Sequence, residues 1–99
     1  MFFKNITMTL DELYTIILNR MKTKPEGSYV ANLFIQGKDR IIQKVGEEAV
    51  ETVIAAKNGG KEQLINETAD LLFHLLILLA SNNITPQEVL DELNCRHKK

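Results

Sequence analysis

The sequence predicts an all-α fold, an antiparallel helical bundle of four to five helices in a single domain, residues 1–99. Apolar residues recur at helical spacing, and helix-capping residues precede several of these segments. No segment shows the alternating apolar and polar pattern of a strand. A chain of 99 residues buries only a small core. The sequence therefore leaves open whether dimerisation completes that core.

The first two helices are bounded by capping and turn residues. Thr9 and Glu12 form a capping-box pattern, and apolar residues at helical spacing follow it. The polar Pro/Gly segment Lys22–Ser28 predicts a loop that ends this helix. A short helix is then expected over Tyr29–Gln36, and Gly37 ends it.

Two long helices and a final shorter one follow. The first long helix is predicted over Lys38–Lys57, with Asn58-Gly59-Gly60 as its stop. The second is predicted over Lys61–Ser81. Thr85 is followed by proline at the first helical position, which opens a last helix running toward Cys95. The three-residue link makes the two long helices antiparallel neighbours.

Composition and charge exclude several classes of protein. The net charge of −1 argues against nucleic-acid binding, and the single cysteine excludes an intramolecular disulfide or a cysteine-based zinc site. The N-terminus becomes polar too early for a signal peptide. The apolar run Leu71–Ala80 contains a histidine and is about half the length of a membrane span. We therefore expect a cytoplasmic protein without a nucleic-acid or membrane partner.

Five acidic residues carry the functional hypothesis. Glu47, Glu48 and Glu51 share a sector about 100° wide on a helix that is otherwise largely apolar. On the next helix Glu67 and Asp70 share a face. Counting outward from the turn near Gly59 places Glu51 level with Glu67, and Glu48 level with Asp70. Four carboxylates from two helices then meet at one depth.

Such a cluster predicts a divalent cation. Carboxylates in a partly apolar cleft need cations to neutralise them, and oxygen ligands favour Mg²⁺, or Mn²⁺, over zinc. A solvated acidic surface is the alternative interpretation. A di-iron carboxylate bundle is disfavoured because it requires Glu-x-x-His where this chain has Glu-x-x-Asp. His74, on the face of Asp70, is expected to pack in the core or to hydrogen-bond a metal-binding residue rather than to bind the metal itself.

Four further residues are candidates for substrate contacts. Arg40 and Lys44 lie one helical turn apart and could contact phosphate oxygens; an intrahelical Lys44–Glu48 pair is the alternative. Ser28 and Tyr29 could reach the substrate from their loop; a plain helix start with Ser28 as N-cap is the alternative.

The stretches "PEGSYVANLFIQGKDRIIQKVGEEAVETVIAAKN" and "ETADLLFHLLILL" resemble the phosphoribosyl-ATP pyrophosphohydrolase family of histidine biosynthesis. Its wider superfamily, the all-α nucleoside triphosphate pyrophosphohydrolases, carries E-E-x-x-E followed on the next helix by E-x-x-D. The likeness covers roughly Leu10 to Leu93. The resemblance implies Mg²⁺-dependent hydrolysis of the α–β linkage of phosphoribosyl-ATP to phosphoribosyl-AMP and pyrophosphate, by a homodimer.

The resemblance also implies roles for single residues. Glu48, Glu51, Glu67 and Asp70 match the metal-binding carboxylates. Glu47 matches a further ligand or the group that positions water, so Glu47 and Glu48 are the catalytic candidates. Two alternatives remain: a house-cleaning enzyme for free nucleoside triphosphates, and a non-catalytic helical dimerisation module.

Overall fold

The computed structural model describes residues 7–97. Five helices occupy this range: α1 Leu10–Thr23, α2 Tyr29–Gln36, α3 Lys38–Asn58, α4 Lys61–Ser81 and α5 Pro86–His97. Between residues 7 and 97 there is no strand, which confirms the predicted all-α class. Residues 1–6, the first part of the stretch on which the argument against a signal peptide rests, and the last two residues of the predicted domain lie outside this range.

Capping boxes begin two helices, α1 and α5. The Thr9 hydroxyl accepts a hydrogen bond from the Glu12 N–H at 3.1 Å, and the Glu12 carboxylate accepts one from the Thr9 N–H at 2.8 Å. Thr85 and Glu88 make the same pair of bonds, at 3.2 and 3.1 Å. Each box satisfies two N–H groups that have no partner inside the helix.

The first helix ends later than predicted. The loop was expected to begin at Lys22, but α1 continues to Thr23. It ends there because Lys24 takes the left-handed conformation, with φ at 49°. Its N–H donates to the Arg20 carbonyl at 3.0 Å and closes the helix. A lysine rarely adopts this conformation, so the pattern of residue types gave no signal for it.

Gly37 joins α2 directly to α3. Its φ of 109° lies in a region that residues with a side chain rarely adopt. The chain can therefore leave α2 and enter α3 within a single residue. The short α2 then contacts both α1 and α3.

The α3–α4 hairpin is the largest packing unit of the chain, and Gly59-Gly60 is its turn. α1 and α2 pack against it and complete a small core. Its largest fully buried side chains come from three different helices: Ile17, Ile41 and Ile77. The Tyr14 hydroxyl donates to the Ile84 carbonyl at 2.6 Å, which ties α1 to the link before α5.

The hairpin leaves much of its apolar surface exposed. Val50, Val53 and Ile54 on α3 are each more than half exposed, as is Ile65 on α4. By length and composition α4 could also cross a membrane, but the core helix of a soluble protein passes the same test. Isolated exposed apolar residues are normal on a protein surface, but here four of them lie on the two helices of one hairpin.

Candidate active site

Three carboxylates meet between α3 and α4. One oxygen each from Glu48, Glu67 and Asp70 lies within 4.8 Å of the others. Glu48 is buried, Glu67 is half-buried and Asp70 is exposed, so the group opens to solvent on the Asp70 side. Because the helices are antiparallel, residues nearly equidistant from the Gly59-Gly60 turn come level, as the hairpin count predicts.

Two of these carboxylates have buried oxygens without partners. Oε1 of Glu48 and Oε1 of Glu67 accept no hydrogen bond from any residue between 7 and 97. A buried carboxylate oxygen without a partner costs free energy that a bound cation would offset. Three carboxylates at this spacing are the ligand type that Mg²⁺ and Mn²⁺ prefer. The donor set therefore fits a hard divalent cation held by Glu48, Glu67 and Asp70.

Glu51 lies beside this group and outside the set of three. Burial and the neighbouring Glu51 carboxylate raise the pKa of Glu67, and Asp70 and Glu48 add to the effect. The raised pKa reflects unfavourable proximity of like charges in a partly desolvated place. The predicted fourth ligand is thus close to Glu67, while its role as a ligand stays a prediction.

Glu47 points to a group of polar and basic side chains on α3. Its carboxylate accepts a hydrogen bond from the Gln43 side chain at 2.9 Å and pairs with Arg40 at 3.8 Å and Lys44 at 3.4 Å. The Gln43 hydrogen bond and the Lys44 ammonium hold the pKa of Glu47 below its ordinary value. Glu47 is therefore ionised and adjacent to the cluster, and it is not one of the three grouped carboxylates.

Lys44 links Glu47 to the cluster. Its Nζ lies 3.4 Å from Oε2 of Glu48, so the intrahelical pair that the sequence left open is present. Burial lowers the pKa of Lys44, but hydrogen bonds to Glu48 and Glu47 outweigh it and raise the pKa above its ordinary value. The side chain therefore carries a full positive charge beside the carboxylates.

The α2 residues contribute differently. The Ser28 hydroxyl is the N-cap of α2 and accepts a hydrogen bond from the Ala31 N–H at 3.1 Å, which is the alternative the sequence offered. Tyr29 is about half exposed, at 48%, and its hydroxyl contacts Nε2 of His74 at 2.7 Å. Tyr29 thus presents a fixed phenol near the site, while substrate contacts of both residues stay predictions.

His74 is buried and uses both ring nitrogens. Nδ1 lies 2.7 Å from the main-chain carbonyl of Asp70, which can only accept, so Nδ1 carries the hydrogen. In the neutral ring Nε2 is then the acceptor, and the Tyr29 hydroxyl donates to it. Phe73 and Tyr29 pack edge-on against the ring. His74 therefore contacts the backbone of Asp70 and positions Tyr29.

Sequence reasoning missed Thr52. Its hydroxyl lies 2.8 Å from the Glu48 carbonyl on its own helix and 3.1 Å from the Glu67 carbonyl on α4. The bond joins the two helices at the level of the carboxylates. The hairpin count sets Glu51 level with Glu67, so the adjacent Thr52 lies within one residue of that level, and this was the available signal.

A separate cleft lies away from the carboxylates. A cleft of about 530 Å³ lies between α1, α2 and the end of α4, around Met21 and Phe34, and no carboxylate lines it. Without a carboxylate this cleft lacks the anionic oxygen ligands that a hard divalent cation prefers. The chemistry of the donor set, and not cavity size, therefore assigns the site to the carboxylates of α3 and α4.

Comparisons with known proteins identify the family to which the chain is similar. A family model described as phosphoribosyl-ATP pyrophosphohydrolase matches residues 10–97. The chain is 53% identical over 88 residues to a phosphoribosyl-ATP pyrophosphatase of Pelotomaculum thermopropionicum, covering 89% of this chain and 90% of that protein. Proteins of the same name from Sulfolobus acidocaldarius and Metallosphaera sedula are 49% and 50% identical; the matches cover 91% and 94% of this chain, and 95% and 100% of theirs.

Proposed function

The chain belongs to the phosphoribosyl-ATP pyrophosphohydrolase family, and we propose that it hydrolyses the α–β phosphate linkage of phosphoribosyl-ATP to phosphoribosyl-AMP and pyrophosphate, the second step of histidine biosynthesis. The observation that supports this most directly is the group of Glu48, Glu67 and Asp70 with two unpartnered buried oxygens. A hydrolase of triphosphates needs such a place for a divalent cation.

In this proposal Glu48, Glu67 and Asp70 hold Mg²⁺, or Mn²⁺, and Glu51 stands beside them. When bound, the cation would shield the triphosphate and stabilise the departing pyrophosphate. Lys44 lies next to the cluster and would contact a phosphate oxygen, since an ammonium binds phosphate as a point charge.

Glu47 and Glu48 divide the handling of water in this proposal. A carboxylate with a lowered pKa is a weak base, so Glu47 would orient the attacking water by accepting a hydrogen bond. Glu48 would act on the water indirectly, as the buried carboxylate that holds the cation. Arg40, paired with Glu47 at 3.8 Å, would face the phosphates from the outer side.

The test is pyrophosphate release from phosphoribosyl-ATP, with ATP in parallel, with and without Mg²⁺. We expect Mg²⁺-dependent release from phosphoribosyl-ATP and little from ATP. Asp70→Asn should lower the rate by at least about a hundredfold, because it removes a ligand. Glu62→Gln, at an exposed carboxylate in the first turn of the same helix, is the matched control and should keep the rate.

Two results would contradict the proposal. Preference for ATP or another free nucleotide would identify a house-cleaning enzyme. No release from any nucleotide by the folded protein, with Asp70→Asn neutral or stabilising, would identify a non-catalytic helical module whose acidic residues only repel one another.

We also propose a homodimer that covers the exposed apolar face of the hairpin. Val53 is 67% exposed at the centre of this face on α3. A 99-residue chain with such a face gains stability by burying it against a second copy. Light scattering should give twice the chain mass, and Val53→Glu should give a monomer or an unfolded chain. A wild-type monomer would contradict this part.

We place the protein in the cytoplasm. The substrate is a metabolite of amino-acid biosynthesis, and the single cysteine fits a reducing compartment. On this proposal α4 is apolar because it lies at the centre of a dimeric bundle and not in a lipid bilayer. Fractionation of cells expressing the chain should recover it without detergent, and recovery only with membranes would contradict this placement.

A further inference from the structure

The two oxygens of the Glu48 carboxylate have different surroundings. The ammonium of Lys44 lies 3.4 Å from Oε2 of Glu48, while Oε1 of the same group is buried and accepts no hydrogen bond from the residues described. The Glu48 side chain is only 9% exposed and that of Lys44 20%. One oxygen of Glu48 therefore lies near the positive charge of Lys44, and the other has no partner among the described residues.

The two cations on Glu48 would repel each other. Coulomb energy between an ammonium and a divalent ion a few ångströms apart is large where water is largely excluded, and it is screened far less than at an exposed site. The other carboxylates of the group do not share this partner: within residues 7–97, neither Glu67 nor Asp70 forms an ion pair. The repulsion therefore acts through Glu48.

We propose that Lys44 lowers the affinity of the substrate-free protein for a divalent cation, because its ammonium and the cation share the Glu48 carboxylate. This inference rests on the proposed function only in taking the carboxylate group as the cation site. Lys44 has two anionic partners, Glu48 and Glu47. Its remaining partner, Glu47 at 3.4 Å, keeps the ammonium at the rim of the cluster when a cation weakens its pairing with Glu48.

The test is titration of the substrate-free protein with Mn²⁺ and with Mg²⁺ by calorimetry. Lys44→Met keeps a chain of similar length and removes the charge, so it should bind either cation more tightly, on the order of tenfold. Lys44→Arg keeps the charge and should stay within about threefold of the wild type. Lys57→Met removes a positive charge from the last turn of the same helix, away from the carboxylates, and should change little.

A second readout does not depend on the Lys44→Met protein. In a sample labelled on the lysine side chains, Mg²⁺ should shift the Cε resonance of Lys44 and leave that of Lys57 in place, because only the former contacts the site. Assignment of the Lys44 signal can use the Lys44→Arg protein. This measurement keeps the proposal testable where Lys44→Met does not fold.

The outcomes separate this inference from the proposed function. Unchanged affinity in Lys44→Met, or an unmoved Lys44 resonance at saturating Mg²⁺, overturns the inference and leaves the cation site intact. Weaker binding in Lys44→Met also overturns it, since the ammonium would then orient Glu48 for the cation. Failure of the wild type to bind either cation overturns both the inference and the cation site.

Discussion

Replacing Thr52 by valine tests whether one side-chain bond holds α3 and α4 in register at the carboxylates. Valine has the shape of threonine and keeps the β-branched side chain in the helix, so only the hydroxyl is lost. That hydroxyl contacts the carbonyls of Glu48 at 2.8 Å and Glu67 at 3.1 Å. Both carbonyls lie inside helices, where they also accept hydrogen bonds from main-chain N–H groups.

The expected cost follows from these contacts. A net hydrogen bond contributes about 0.5–1.5 kcal/mol, and no buried acceptor is left without a partner after the substitution. We therefore expect Thr52→Val to lower the free energy of unfolding by about 1 kcal/mol, which is a fall in Tm of roughly 4–8 °C for a domain of this size. The loosened register should also weaken cation binding at the site.

The assay is urea unfolding of the cation-free protein at one fixed protein concentration. Thr15→Val is the matched control, because the exposed Thr15 hydroxyl bonds only the Asp11 carbonyl of its own helix, at 2.9 Å. The control should change stability by less than about 0.5 kcal/mol. Equal effects of the two substitutions would refute the reasoning, because the bond across the hairpin would then contribute nothing beyond the one within the helix.

Three further changes test other parts of the structure. Tyr29→Phe removes the hydrogen-bond partner of Nε2 of the buried His74, so it should cost about 1–3 kcal/mol in unfolding free energy; an unchanged melting temperature would mean that this hydrogen bond does not stabilise the fold. Burial and Glu51 raise the pKa of Glu67 in the folded protein, so without a divalent cation wild-type stability should fall as the pH rises through that pKa. Glu67→Gln should then stabilise the protein in EDTA at neutral pH and lose this advantage as the pH falls toward about 4.5, and a pH-independent difference in thermal melts would argue against it. Ile77→Ala should cost about 2–5 kcal/mol in urea unfolding because Ile77 is fully buried, and a cost below about 1 kcal/mol would mean that the core can collapse around the gap.

The sequence predicted the helices well because helix caps and turns depend on residues that are close together in the chain. The capping box at Thr9 and the turn at Gly59-Gly60 act through bonds between residues a few positions apart. The predicted end of α1 was wrong by two residues, since Lys24 takes a conformation that its residue type disfavours. Boundaries of this kind depend on small free-energy differences that the sequence pattern does not encode.

The family and the acidic group were both accessible from the sequence. The spacing of Glu48, Glu67 and Asp70 on two rigid helices with a two-residue turn leaves few ways to arrange them, and the structure groups all three. Family membership, predicted from the same motifs, is confirmed by the match over residues 10–97. Whether Glu51 is a ligand and Glu47 a water-positioning group stays a prediction.

Tertiary structure decided the contacts between elements distant in the chain. The pairing of Tyr29 with His74 joins residues 45 positions apart, and it depends on how the single glycine turn at Gly37 sets α2 against α4. Whether Lys44 pairs with Glu48 or stays free in solvent likewise depends on how deeply the Glu48 carboxylate is buried. A helix repeats its geometry from local bonds alone, so spacing along one helix is written in the sequence. Burial and contacts between helices arise only when all of them pack together.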